Sequence, residues 1–203
     1  MEEIFGFVNN MAFPKNLYQF EKNMENDEYF NVLDVLSHSL VGWTVDKYAK
    51  LGQLCFWSHT ATTITNITNI EEELKGKTNH PKYSYLMNCL EKAKQLYNKY
   101  GGKIFAVGRV VGEPFEEKHE DRDYIHWSSR VYGVMYNFYN LTTPIDRQEF
   151  SDFITIANKG AITNLNKEQC EKLLKMIEEK EGVKIPLVDE GMVNRHFYDT
   201  SNQ

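Results

Sequence analysis

Two short apolar segments constrain the fold of this chain more than any other feature. Residues 51–59 read LGQLCFWSH, and residues 103–114 read KIFAVGRVVGEP. Each segment begins with a charged residue or near a glycine and ends in polar groups. This pattern is typical of a buried strand that delivers a side chain or a turn to one rim of a sheet. The sequence therefore predicts two buried strands joined by a long connection.

Length, composition and charge limit the class of protein. The chain has 203 residues, of which 41% are hydrophobic and 13% are aromatic, enough for one core and a ring-lined pocket. The formal net charge of -6 argues against coating nucleic acid by electrostatics alone, because non-specific affinity comes mostly from neutralised phosphates. A protein that grips one base through a local basic face remains compatible with this charge.

The cysteines and the start of the chain bear on the compartment. The three cysteines have no CxxC spacing, so neither a disulfide framework nor a zinc ribbon is indicated. The first residues carry two acids where a signal peptide needs positive charge, and no apolar run approaches a membrane span of about 18 residues. The sequence therefore predicts a cytoplasmic protein.

Hydrophobic periodicity places elements in the first half of the chain. Residues 4–8 read as a strand, and residues 27–39 have the three- and four-residue spacing of an amphipathic helix. Residues 60–79 are polar and rich in Thr and Asn, which predicts a mobile connection. Residues 81–100 are predicted as a helix that a glycine pair ends.

The second half adds a long strand and two capped helices. Residues 130–142 read as a strand in which Gly133 marks a bulge or a close approach. Asp146 with Glu149 predicts a capping box, and Asn166 predicts the cap of a last helix. Strands at both ends with helices between them favour an α+β fold over a doubly wound sheet.

The two apolar segments resemble a known pattern. KLGQ, LCF and WSH at residues 50–59, followed by GRVVGEP at residues 108–114, resemble the EVE and YTH branches of the PUA-like superfamily. The resemblance implies a mixed β-barrel surrounded by helices, with residues 81–100 as a helical insertion. It also implies one domain over residues 1–182 that binds a modified base, followed by a linker or tail over residues 183–203.

The resemblance has implications for function and partners. It implies the N-terminal specificity module of a McrB-type, modification-dependent restriction system, in which DNA with methylated cytosine or adenine is the ligand. The chain would then be a fragment that precedes a GTP-driven AAA+ motor. Two alternatives stay open: a reader of modified RNA, and an ASCH-like amidohydrolase of acylated nucleosides that uses Lys50, Thr60 and Glu113.

Candidate pocket residues follow directly from the first segment. Trp57 ends a predicted strand, and Ser58, His59 and Thr60 come after it. A base flipped out of its stack needs an aromatic face together with hydrogen bonds to its Watson–Crick edge, and these four residues offer both. The alternative is a core tryptophan followed by a surface histidine.

Two further tryptophans extend the predicted pocket. Trp43 is predicted in a loop before a short helical turn, and Trp127 at the start of a later strand. Aromatic rings from separate loops at one rim would form a cage that recognises a methylated base. A structural role in the core is the alternative for both residues.

Basic residues recur near the predicted rim. Arg109, Arg122, Arg130 and Lys159 are predicted to contact phosphates and hold the register while the pocket reads the base. Ordinary surface charges are the alternative interpretation for each of them.

Catalytic and metal-binding signatures are weak in this sequence. Residues 116–126 are dense in acids and histidines but lack the spacing of an established metal motif, so they predict a solvated loop. Walker, GxGxxG and GxSxG motifs do not occur. The chain is therefore predicted to bind its ligand without catalysis, metal or cofactor.

Overall fold

The structure, a computed structural model, has an α+β fold, as the sequence predicts. It describes residues 3–25, 31–118, 129–156 and 162–191. The strands are β1 (Gly6–Met11), β2 (Leu40–Thr44), β3 (Leu54–His59), β4 (Lys103–Val110), β5 (Phe115–Lys118), β6 (Ser129–Asp146) and β7 (Ile162–Leu165). The helices are α1 (Leu17–Glu25), α2 (Asn31–Ser37), α3 (Thr63–Lys75), α4 (Tyr83–Tyr100), α5 (Arg147–Phe150) and α6 (Lys167–Glu181).

All seven described strands belong to one mixed sheet. Their order is β2-β6-β4-β3-β1-β7, and β5 pairs with β6 beside this path. β1 and β3 run parallel, whereas the other pairs are antiparallel. The two apolar segments of the sequence are β3 and β4, which are buried neighbours as predicted.

Each face of the sheet is covered by a different helix. One face carries Phe7, Trp57 and Met135 and is packed against α2, so we call it the α2 face. The opposite face carries Val8 and Phe56 and is packed against α6, so we call it the α6 face. Successive residues of a strand point to opposite faces, and this alternation decides which side chains can meet.

A third core cluster joins α1, α3 and α4. The prediction of a mobile connection over residues 60–79 is wrong, because α3 buries Ile67, Ile70 and Leu74 on one side. Packing against α1 and α4 outweighs the low helix propensity of its Thr and Asn residues. The predicted helix at residues 81–100 is confirmed as α4, with Leu86 and Leu90 buried against this cluster.

The predicted caps and the close approach at Gly133 are confirmed. Asp146 and Asn166 each form a complete capping box, at the starts of α5 and α6. A Cβ placed on Gly133 would lie 2.9 Å from Val45, so the glycine lets the segment after β2 approach β6.

The packed chain extends beyond the boundary predicted at residue 182. Ile185 is buried in the same core as α6, and Leu187 packs partly against it. The start of the predicted linker is therefore part of the packed domain. Among the described residues, no helix is long and apolar enough to cross a bilayer.

Candidate functional site

Trp57 lies in the core of the sheet and not at its rim. It is the register partner of Asn9 on β1 and of Ala106 on β4, all on the α2 face. Its exposed fraction is 0%, and Phe7 and Phe105 belong to the same buried cluster. The prediction of a rim position is wrong, and the alternative of a core tryptophan describes its surroundings.

The three residues after Trp57 do not join it in one pocket. Ser58 is buried on the α6 face, because neighbouring residues of a strand alternate. The His59 Nδ1 atom donates to the Met11 carbonyl oxygen at 3.1 Å, and the Thr60 hydroxyl donates to the same oxygen at 2.8 Å. His59 and Thr60 therefore fasten the end of β3 to the end of β1.

The buried His59 gives the protein a pH-dependent stability. Burial lowers the pKa of His59 from its ordinary value of 6.5, which the hydrogen bond to Met11 only partly offsets. The unfolded chain therefore takes up a proton at His59 at a higher pH than the folded chain does. This contribution to stability is complete above pH 6.5 and declines as the pH falls below it, by at most about 1.4 kcal/mol per pH unit.

We expect His59→Gln to flatten this decline between pH 6.5 and 5. Urea unfolding at several pH values measures it, and His38→Gln is the matched control because His38 is exposed. Equal pH slopes for wild type and His59→Gln would contradict the assignment.

The predicted aromatic cage is not assembled by the described residues. Trp43 lies on β2 and not in a loop, half-buried and in register with Gly133. It shares the α2 face with Trp57. However, β6 and β4 lie between β2, which carries Trp43, and β3, which carries Trp57, so the two residues are roughly 14 Å apart across the strands. Trp127 lies outside the described residues. The two described indoles therefore belong to different parts of the same face.

Two asparagines on the α2 face present buried acceptors that the sequence interpretation missed. Asn9 Nδ2 donates to the Thr44 carbonyl at 3.1 Å, and Asn137 Nδ2 donates to the Val35 carbonyl. These bonds fix the orientation of each amide. Asn9 Oδ1 and Asn137 Oδ1 are buried and have no hydrogen-bond partner among the residues that the structure describes.

The indole of Trp57 adds a buried donor beside them. Trp57 Nε1 also lacks a partner within the described residues. A Cβ placed on Gly108 would lie 3.3 Å from Trp57 Nε1 and 3.4 Å from Asn137 Cα. The same Cβ would lie 2.9 Å from the Tyr136 carbonyl oxygen, so only glycine is accommodated here.

We call Asn9, Trp57, Gly108 and Asn137 the polar band. They occupy the neighbouring strands β1, β3, β4 and β6 on the α2 face, with Asn9 in register with Trp57 and Gly108 in register with Asn137. A buried polar atom without a partner costs about 1–3 kcal/mol. Three such atoms in one band are unusual for a packed interior, in which most buried polar atoms are hydrogen-bonded.

Arg109 does not occupy the surface position that a phosphate contact needs. Its exposed fraction is 2%, and Nη1 donates to the carbonyls of Gly52 at 2.8 Å and Leu187 at 3.1 Å. Nη2 donates to the Pro186 carbonyl. Burial lowers the pKa of the Arg109 guanidinium. The negative charge of Asp189 raises this pKa by a smaller amount. The phosphate-binding prediction is therefore wrong for Arg109, which instead holds the C-terminal segment.

The other predicted phosphate contacts are not described. Arg122 and Lys159 lie outside the described residues, and for Arg130 the structure describes the backbone in β6 without the side chain. Their predicted phosphate contacts therefore stay predictions.

The residues of the amidohydrolase alternative are also separated. Lys50 precedes β3 and Thr60 follows it, so the length of the strand, roughly 20 Å, lies between them. Lys50 and Glu113 are both exposed. The described residues hold no group of three or more His, Cys, Asp or Glu side chains suited to a metal ion, and most of residues 116–126 lies outside them.

Comparison with known proteins gives one structural similarity. No protein-family model matches the chain, and no curated protein sequence matches it. The fold is similar to the crystal structure of a single-site mutant of ZmASCH from Zymomonas mobilis, with 10% identity and a TM-score of 0.43. The similarity covers 87% of this chain and 99% of that chain. At this level it assigns neither a family nor a function.

Proposed function

We propose that this chain is a nucleic-acid-binding domain that accepts one modified base at the polar band. A single observation carries the proposal. One buried donor, Trp57 Nε1, and two buried acceptors, Asn9 Oδ1 and Asn137 Oδ1, lack partners among the described residues on one face of the sheet. The domain binds the base and leaves its covalent bonds unchanged.

The chemistry of a nucleobase complements this band. A base is flat, and its edge alternates hydrogen-bond donors and acceptors. The Trp57 N–H would donate to a ring nitrogen or carbonyl oxygen, while Asn137 Oδ1, two strands away across Gly108, would accept from a ring or exocyclic N–H group.

A methyl group on the base would lie against apolar neighbours. Phe7, Phe105 and Met135 belong to the same buried cluster as Trp57. Burying one methyl group among such side chains favours the methylated base by about 0.8 kcal/mol, close to fourfold in affinity. Preference for a modified base thus follows from the apolar surroundings, and orientation from the polar atoms.

DNA is the polymer that we propose. The segments at residues 50–59 and 108–114 resemble the EVE and YTH branches of the PUA-like superfamily, and a domain of this size resembles the specificity modules of McrB-type restriction systems, in which a GTP-driven motor follows. The net charge of -6 supports recognition through one base over coating of the phosphate backbone. Arg122, Arg130 and Lys159 remain the proposed phosphate contacts.

Titrations with labelled oligonucleotides test the proposal. The series uses one duplex with 5-methylcytosine, N6-methyladenine or no modification, and RNA of the same sequence. We expect one modified duplex to bind about fourfold more tightly than the unmodified duplex, the contribution of one buried methyl group. Trp57→Phe, which removes the Nε1 donor and keeps a ring, should weaken that binding by about 2–12-fold.

Controls separate the polar band from its surroundings. Trp43→Phe is the matched variant, because it makes the same change on the same face outside the band, and it should keep the affinity within about twofold. Equal binding of all duplexes by folded protein would contradict base recognition. Preference for modified RNA would replace DNA as the polymer, and turnover of an N-acylated cytidine would assign an enzyme instead.

A further inference from the structure

The polar band is covered by α2. Val32 and Val35 on this short helix are buried in the same cluster as Trp57, and Leu36 packs partly against that cluster. Trp57 and Asn9 both have exposed fractions of 0%. A ligand therefore reaches the band only when a covering element moves.

Polar side chains of β6 hold α2 in place. Asn137 Nδ2 donates to the Val35 carbonyl, and Asn140 Nδ2 donates to the Leu36 carbonyl at 3.0 Å. Asn140 Oδ1 in turn accepts from Asn137 Nδ2 at 3.0 Å. Asn137 therefore contributes its oxygen to the polar band and its nitrogen to the attachment of α2.

Two other elements cover this face and are more firmly attached: the end of α4, an 18-residue helix whose Tyr100 belongs to the same cluster, and the segment after β2. Val45 and Ala49 also belong to the buried cluster, but Val45 N donates to the Val131 carbonyl at 3.1 Å. The chain before Val45 is β2, which pairs with β6 along its whole length. α2 has seven residues, too few for a helix that is stable without packing, so it is the element of this face that separates most readily.

We infer that α2 is a movable cover and that its release from β6 admits the base to the polar band. The inference rests on the proposed function and adds how the site opens. The apparent affinity equals the intrinsic affinity multiplied by the fraction of molecules in which α2 is released. A base over the polar band takes the space that Val32 and Val35 of α2 fill, so binding and release of α2 favour each other.

Hydrogen exchange without any ligand tests the motion itself. We expect the amides of α2 to exchange at least about tenfold faster than those of β3, because α2 opens without unfolding of the sheet. Val32→Ala should accelerate exchange in α2 further and leave β3 unchanged. Exchange that is equally slow in α2 and β3, or accelerated equally in both by Val32→Ala, would overturn the inference.

Binding kinetics test the consequence for the site. Val32→Ala should raise the association rate constant for the preferred modified duplex several-fold, whereas Leu33→Ala should not change it, because Leu33 is 41% exposed on the same helix. Asn140→Ala, at an exposed position, should act like Val32→Ala if the valine variant does not fold. An unchanged or lower rate constant in the folded variants would overturn the inference.

The two proposals fail in different ways. If no duplex or RNA binds to any of these proteins, the proposed function is wrong, and the exchange experiment still decides whether α2 opens. If a modified duplex binds while α2 stays as protected as β3, base recognition stands and the movable cover is wrong.

Discussion

Trp57→Ala is expected to lower the free energy of unfolding by about 3–5 kcal/mol, the range for removing a large aromatic side chain from a core. The indole is fully buried on the α2 face of the sheet and packs in the cluster with Phe7 and Phe105. Its removal would leave a cavity that the hydrogen-bonded strands on either side cannot close. Urea unfolding followed by circular dichroism measures the change.

Trp43→Ala serves as the control for Trp57→Ala. Trp43 lies on the same face but is only half-buried, so the same truncation should cost less than the loss at Trp57. A loss below about 1 kcal/mol for Trp57→Ala would contradict the packing described above. Because Trp57→Ala is expected to destabilise the fold, the binding experiment uses Trp57→Phe instead.

Arg109→Met is expected to lower the free energy of unfolding by about 2–4 kcal/mol and to detach the segment after α6. The change leaves the carbonyls of Gly52, Pro186 and Leu187 without their donor, and hydrogen bonds from a charged group contribute about 1.5–3 kcal/mol each without being additive. Ile185 would lose its packing against the core in the same step.

Urea unfolding and the rate of trypsin cleavage at Lys184 measure the effects of Arg109→Met. Arg147→Met is the matched control, because the described contact of Arg147 to the Ile156 carbonyl is a single long bond of 3.4 Å. Lys184 is exposed in the wild type, so the relevant readout is acceleration by Arg109→Met over this control. Unchanged stability together with unchanged cleavage would show that Arg109 does not hold the segment.

Local patterns were sufficient to predict the elements that bury a continuous apolar face. β3 and β4 are short apolar runs, and the capping boxes at Asp146 and Asn166 are fixed by residues three positions apart. α3 departs from the prediction because the apolar spacing of Ile67, Ile70 and Leu74 outweighs the Thr and Asn content of the segment. That spacing is the signal that would have identified the helix.

The candidate site was less predictable, because it depends on contacts between distant strands. Asn9 and Asn137 are marked in the sequence only as polar residues at buried positions of apolar strands. The alternation of a strand would have separated Ser58 from Trp57. Nothing local to Arg109 indicates that its partners lie in a segment near residue 187.

The position of β1 within the sheet determines when this domain can fold during its synthesis. β1 lies between β3 and β7, and Gly6 pairs with Leu54 on one side and Leu165 on the other. A ribosome that adds roughly 5–20 residues per second leaves the second edge of β1 unpaired for on the order of ten seconds or longer. An open strand edge is a template for pairing between chains, so the nascent protein is most prone to aggregate before β7 emerges.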